Sequence, residues 1–339
     1  MGKPKVGWNK ADMNRAIYIT RSDIGWYSRN ANAYRKPLEI ASKYDATLCV
    51  DEICRVPQEI AERCTEIVRF RGLWGLMKPR NTLNTQKGNH IFTGFDFPCM
   101  FKAWRLKKKF GCKWTVFLWD PPCLAHRDGF PPLRWAIDAV FRFFAKRCDR
   151  LVLNIHPGLL EEIGYRPREG QLELRMQDAW ENVKLWDRDN EALCKCENDS
   201  DLEYDFGILA NWEKGKGGPL MAAALKQMPR KKCLWIGDAQ KKNASEQIVF
   251  TGRLPQNEAF ALLRKCHVLV VPYLSTRAFK WNYPLKLFEY LQIGQPILAS
   301  DNPGNVAVAQ RYEGRIKLFR SGDVCDLVLK AMELMETTK

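Results

Sequence analysis

The chain has 339 residues, 46% of them hydrophobic and 27% charged, with 54 Lys and Arg against 39 Asp and Glu. That length suits two ordinary domains with sizeable cores, and that balance excludes a disordered chain. No apolar run reaches the ~18–20 residues of a membrane helix, and the opening MGKPKVGWNKADMNR reads as neither a secretory signal nor a myristoylation site.

The first predicted strand is AIYIT, 16–20, followed by the turn-rich RSDIGWYSRNANA and a helix to about Lys43. ATLCVD (46–51), HIFTGF (90–95) and TVFLWD (115–120) are the next strands, with the basic helical segment FKAWRLKKKFG between the last two. LRWAIDAVFRFFAKRCD predicts a helix before the strand RLVLNI, 150–155, and HPGLLEEIG opens another. Polar and charged runs blur the pattern from about 165 to 205. Alternation resumes with DFGILAN, the helix GGPLMAAALKQM, the strands KKCLWIGD and QIVFTG, the helix QNEAFALLRKC and the strand HVLVVPY.

Short strands alternating with helices predict α/β architecture with parallel sheets, in two Rossmann-like domains facing across a cleft. The expected boundaries are 1–165 for an N-terminal acceptor-binding domain, 166–204 for an interdomain region and 205–320 for a C-terminal domain. Residues 321–339 are expected as a helical tail returning toward the N-terminal domain.

The twelve cysteines read as buried free thiols of a reducing, cytoplasmic compartment rather than a disulfide framework. Cys194 and Cys196 form a lone CxC pair, read as loop or surface cysteines, and no metal site is assigned. The formal charge of +15 is uneven: residues 66–110 hold ten Lys and Arg against Glu66 and Asp96. Such a field attracts nucleic acid, an anionic membrane surface or a phosphate-bearing substrate, and charge alone does not choose among them.

The stretch PLKLFEYL places Lys286 and Glu289 three apart on one helical face, with Pro284 at the helix start. A free helix N-terminus and a lysine suit phosphate oxygens, and the glutamate suits ribose hydroxyls. The same pair also reads as an ordinary surface ion pair.

Here the chain resembles nucleotide-sugar-dependent glycosyltransferases of the GT-B class, in particular the retaining family 4. PLKLFEYLQIGQPILAS is similar to that family's signature, and GILANWEKGKGGPLMAAAL, CLWIGD and IVFTGRLPQNEAFALLRKCHVLVVPY precede it in the family's order. The match is specific over roughly 205–305 and architectural over 15–165. The resemblance implies a GT-B fold and transfer of a sugar from a nucleotide-diphosphate donor to an acceptor hydroxyl with retention. It implies no tightly bound cofactor.

Carried across residue by residue, the resemblance makes Lys216 a diphosphate ligand, with Gly217 its partner at a helix start. Lys286 would meet the donor phosphate or sugar and Glu289 the ribose. Asn211 falls where many members place a second cation, and Lys214 or Arg277 can replace it. Gly237 and Asp238 follow a strand in a place suited to the nucleoside, although Asp238 also reads as structural. Arg253 follows QIVFTG.

Two positions depart from the family. Trp281 stands where an earlier acid is expected, and it reads either as a platform for a sugar face or as a core or rim aromatic. Trp119 stands near an expected histidine, followed by Asp120, which can orient a hydroxyl and accept its proton or else cap the PP turn. His126 reads as a cleft or surface-loop residue. Gly25, in DIGWYSRNA, permits a close backbone approach near substrate phosphates or serves an ordinary connection, with Asp23, Tyr27 and Arg29 as weaker acceptor contacts. The expected partners are a glycan or lipid-linked acceptor and an anionic membrane surface at which the enzyme is peripheral. The competing readings are DNA as the acceptor of a DNA-modifying glucosyltransferase, and a non-catalytic nucleotide-sugar or nucleic-acid binder.

Overall fold

The computed structural model describes residues 15–26, 32–77, 89–119, 131–175, 202–238 and 245–337. The chain divides into two compact units: Met1–Ala125, Gly129–Asn154 and Leu160–Arg175 form the first, and His126–Asp128, Ile155–Leu159 and Met176–Lys339 the second.

The first unit holds a seven-stranded sheet of β1 (Arg15–Thr20), β2 (Asp45–Asp51), β3 (Glu66–Phe70), β4 (His90–Gly94), β5 (Lys113–Leu118), β6 (Arg150–Leu153) and β7 (Leu172–Leu174). The order is β3-β2-β1-β4-β5-β6-β7, and every pairing is parallel. The central strands are nearly continuous apolar runs because crossover helices cover both faces of a parallel sheet. Tyr18, Leu48, Val50, Phe92, Phe117 and Val152 share one core with Tyr34, Ile40 and Ala41 of the helix Asn32–Lys43. The helix Phe97–Phe110 starts where Asp96 accepts from the Cys99 amide at 3.1 Å and stops at the left-handed Gly111.

The edge strands β3 and β7 escape the sequence reading for one reason. At an edge the strand is only partly covered, so EIVRF and LEL carry charges that break an apolar run. β7 lies inside the stretch expected to be interdomain, yet its register with β6 adds it to the first sheet.

The second unit holds β8 (Tyr204–Leu209), β9 (Cys233–Ile236), β10 (Ile248–Gly252), β11 (Cys266–Val271), β12 (Ile297–Ser300) and β13 (Ile316–Phe319), ordered β10-β9-β8-β11-β12-β13. Each central strand splits its side chains by the period of two. Cys233, Trp235, Val268, Val270 and Leu298 enter one core with the helices Gly218–Gln227 and Val324–Thr337. Leu234, Ile236, Leu269, Val271 and Ala299 enter the other with Gln256–Arg264, Leu285–Ile293 and Pro303–Arg311. The C-terminal helix Val324–Thr337 supplies Leu327, Ala331 and Met335 to the first of these two cores.

Nine described cysteines are free thiols, and of these only Cys325 is exposed. Burial pushes the Cys148 and Cys266 thiols up to about 12. Among the described residues no helix is long and apolar enough to cross a membrane.

Candidate functional site

In the second sheet the first strand of the unit, β8, lies beside the fourth, β11, and the strand order runs outward from that pair. Such a switch point leaves a crevice beyond the carboxyl ends of two neighbouring strands, because their connections depart in opposite directions. The loops after β8 and β11 lead to Asn211, Lys216 and Gly217 on one side and to Lys286 and Glu289 on the other.

After β8 the chain passes Asn211, half-buried, into a tight 3-10 turn at Lys214–Lys216 and then the helix Gly218–Gln227. Gly217 joins the two at φ +80, and a Cβ there would come within 2.0 Å of the Pro272 carbonyl oxygen. Only glycine fits, since the turn is pressed against the exit of β11. The Leu274 amide donates to the Gly215 carbonyl at 2.9 Å, adding a second tie between the two loops. Lys216 Nζ is held 3.1 Å from Glu213 Oε1.

After β11 come Tyr273, the short helix Arg277–Lys280, and Pro284 at the start of Leu285–Ile293. Lys286 Nζ lies 2.8 Å from Glu289 Oε2, so the predicted pair forms. It is not an ordinary surface pair, because Glu289 is buried at 9% exposure and its Oε1 accepts from Gln256 Nε2 at 3.3 Å. No aligned hydrogen bond reaches Oε2, which is satisfied by charge alone. Neither Gly218–Gln227 nor Leu285–Ile293 has a side-chain cap at its start, so both present amide-rich, positively polarised ends.

Tyr273, half-buried, follows β11 and its ring packs on Phe279 at 5.2 Å. Burial pushes its phenol well up, and the Glu289 and Glu213 carboxylates add to the effect. The carboxylates of Glu289 and Glu213 thus both disfavour ionisation of this half-buried tyrosine. Tyr273, Gln256 and Glu213 were not singled out by sequence reasoning. Their signal, a tyrosine and two polar residues around apolar strands, is too common to read without coordinates.

The loops after β9 and β10 are tied to this region through the backbone. The Gly237 amide donates to the Gly252 carbonyl at 2.9 Å, and a Cβ on Gly237 would lie 2.2 Å from the Ala210 oxygen. Arg253 pairs with Asp238, but both side chains are more than half exposed, so the pair adds at most about 1 kcal/mol. Of the two cations considered in place of the one missing at Asn211, Lys214 is exposed and Arg277 is buried at 5% exposure.

Trp281 is fixed by a segment that sequence placed elsewhere. Ile155–Leu159 belongs to the second unit, where Ile155 bridges Asn282 and the His156 amide donates to the Trp281 carbonyl at 2.7 Å. The His156 ring stacks on Trp281 at 5.3 Å and 18°, and Lys280 Nζ lies 4.5 Å from the Trp281 ring centroid. A Cβ on Gly158 would come within 2.2 Å of the indole. The aromatic is thus anchored by packing as well as half-buried.

In the first unit Gly25 has a local reason to be glycine. Its amide donates to the Arg55 carbonyl at 2.8 Å, and a Cβ would meet the Arg55 Cβ at 2.7 Å. Hydrogen bonds from Arg55 hold the Asp23 carboxyl below the usual carboxylate range, so Asp23 serves this loop. Trp119 stacks on Phe117 at 5.8 Å. Asp120, His126, Tyr27 and Arg29 lie outside the described residues. Among the described residues no cluster of three metal-ligating side chains occurs.

Two α/β units with separate parallel sheets, each ordered outward from a central switch point, define the GT-B fold. The Anabaena protein Alr3699/HepE in complex with UDP matches with a TM-score of 0.64 at 11% identity, over 96% of this chain and 91% of that chain. A glycosyltransferase from Rickettsia africae ESF-5 matches at 0.59 and 9%, over 96% and 89%. The apo form of the lipopolysaccharide outer core galactosyltransferase WaaB matches at 0.57 and 11%, over 96% and 91%. At these identities the likeness is one of fold. Residues 205–337, most of the second unit, match the family described as Glycosyl transferases group 1. No curated protein matches in sequence.

Proposed function

We propose that the protein transfers a sugar from a nucleotide-diphosphate sugar to an acceptor hydroxyl, with retention at the anomeric carbon. The observation that carries this reading is that the loops bearing Lys216 and Lys286, which leave the neighbouring strands β8 and β11, are pressed together where Gly217 meets Pro272 and the Leu274 amide donates to the Gly215 carbonyl, with each lysine paired to an acid. Two cations and two uncapped helix starts suit a diphosphate. A buried glutamate with one oxygen held only by charge suits a hydroxyl pair such as a ribose offers. The complex of Alr3699/HepE with UDP adds support for a uridine donor on the same fold.

In this reading Lys216 and Lys286 keep their carboxylate partners and turn their remaining N–H groups to the diphosphate. Both lysines are already oriented, so charge growing on the leaving group meets preorganised donors with little rearrangement. Glu289 fixes the nucleoside end, and Gln256 keeps its carboxylate from turning. The family 4 resemblance at PLKLFEYLQIGQPILAS supports retention, with the acceptor hydroxyl attacking from the face the nucleotide leaves.

The anchored Trp281 favours a second reading, a nucleotide-sugar binder without transfer. An indole held against His156 supplies no carboxylate for the hydroxyls of a transferred sugar. Incubating the protein with a panel of nucleotide sugars and acceptors, with mass detection of product, separates the two. Glycan, lipid-linked sugar and duplex DNA acceptors belong in the panel. Product on a glycan or lipid supports the proposal, product on DNA reassigns the acceptor, and donor binding without product leaves the binder.

A further inference from the structure

The helix Pro131–Ala145 in the first unit has two apolar faces, and the core uses one. Ile137, Phe141, Phe144 and Ala145 are buried inward. Leu133, Ala136, Val140 and Phe143 recur at intervals of three and four on the opposite side, and all four are exposed. Trp135 beside them is 69% exposed. Single exposed apolar residues are common, but a stripe along one helix marks an interaction site.

The neighbouring helix Phe97–Phe110 extends the stripe. Trp104 meets Phe143 edge-on at 5.4 Å, and Phe101 meets Trp104 at 5.6 Å. Phe101, Trp104, Arg105 and Lys108 share one face of that helix by their spacing. The rim is cationic: Arg105, Lys108, Lys109, Arg134, Lys146 and Arg147 are exposed. The one acid within the two helices, Asp138, is buried. Arg147 is exposed, its guanidinium 3.5 Å from the Phe143 ring centroid and donating to the Phe143 carbonyl at 2.7 Å, so a cation borders the apolar stripe.

We propose that this two-helix face docks on an anionic lipid bilayer, with Leu133, Trp135, Val140 and Phe143 in the interface and the surrounding cations at the headgroups. A helix of 15 residues is too short to span a bilayer, but its composition suits one lying in the interface plane. Charge selects this occupant: the apolar stripe alone would accept a neutral partner, whereas the cationic rim would repel a second copy of itself. Phosphates of a nucleic acid would meet the cations yet gain nothing from Leu133 and Val140. The proposal uses residues of the first unit and does not rest on the donor-site reading.

The test is co-sedimentation of the full chain, without nucleotide sugar, with vesicles of phosphatidylcholine containing about one third phosphatidylglycerol. Binding is expected to these vesicles, to weaken with salt, and to be much weaker on phosphatidylcholine alone. Lys108→Glu with Lys109→Glu should lower vesicle affinity roughly tenfold or more. Trp135→Ala with Val140→Asn should lower it several-fold, and most visibly at high salt. Unchanged circular dichroism and melting of both double variants show that these exposed positions were not needed for folding. The proposal is overturned by absent vesicle binding, or by binding indifferent to Trp135→Ala with Val140→Asn. A concentration-dependent dimer abolished by Val140→Asn, or duplex DNA displacing the vesicles, would overturn it equally.

Discussion

Lys286 and Glu289 sit one helical turn apart with Nζ and Oε2 2.8 Å from each other, and the glutamate of the pair is buried. An exposed pair of this kind contributes only a few tenths of a kcal/mol to a helix. Burial changes its character, because a carboxylate removed from water needs its partner and holds it in place. The lysine is thus set at a helix start before any anion arrives, as Lys216 is by Glu213.

Lys216→Ala and Lys286→Ala are each expected to lower sugar transfer by roughly a hundredfold or more while leaving the fold intact. The exposed Lys214→Ala, which removes the same charge from the same turn, should cost less than about tenfold. Transfer rates measured alongside nucleotide affinity by calorimetry check this. Full activity in both of the first two variants would remove the donor site.

Gly217→Ala places a methyl group 2.0 Å from the Pro272 carbonyl at φ +80 and should cost about 2–4 kcal/mol. Gly252→Ala has a similar φ of +76 but meets nothing within 4 Å, so it should cost only about 1 kcal/mol. Urea unfolding of the two variants separates backbone strain from steric exclusion. Equal losses would mean that the turn after β8 yields freely from β11.

Glu39 carries the clearest pH dependence. Burial alone would raise its carboxyl, but Lys36 and Lys43 overcome that and hold it down at about 2. Lys36 Nζ lies 3.1 Å from Oε2 and Lys43 Nζ 2.8 Å from Oε1. Because the folded value lies below the ordinary 4.5, the stabilisation is fully present above that pH and is lost as pH falls toward 2. Glu39→Gln should cost about 1–2 kcal/mol at neutral pH, allowing for a side chain about a third exposed. The gap from the parent should narrow through that window, as read by urea unfolding at successive pH values. A gap that stays constant with pH would assign the loss to packing.

Trp281→Ala is expected to raise KM for the donor several-fold while leaving affinity for the free nucleotide diphosphate within about twofold. His156→Ala should produce a smaller effect of the same kind, since the imidazole holds the indole without replacing it. Kinetics with the sugar donor, set against calorimetry with the bare nucleotide, measure both. Equal weakening of the two ligands would place Trp281 at the nucleotide rather than near the sugar.

The central strands, the crossover helices and the Lys286–Glu289 helix are legible in the sequence because each rests on local rules. Buried parallel strands are apolar throughout, helices repeat at 3.6 residues, and a proline followed by a lysine marks a helix start. The KGKGG turn is legible too, since glycine beside lysine before an apolar helix has few other uses. Edge strands β3 and β7 are not, because a strand only partly covered keeps its charges.

Side-chain partners depend on contacts distant in sequence, and only the tertiary structure supplies them. The sequence alone determined that lysines precede or open two helices of an α/β unit. It did not determine that Glu289 is buried, that Gln256 holds it from 33 residues away, or that the turn at Gly217 is pressed against Pro272. It read Gly25 as open between a ligand approach and a plain connection, where the close packing of Arg55 supplies a structural reason for glycine. It left Trp281 equally open, and a five-residue segment from 155–159 anchors the indole. Local patterns carry periodicity and turn chemistry, whereas burial and charge pairing arise only when remote strands are brought side by side.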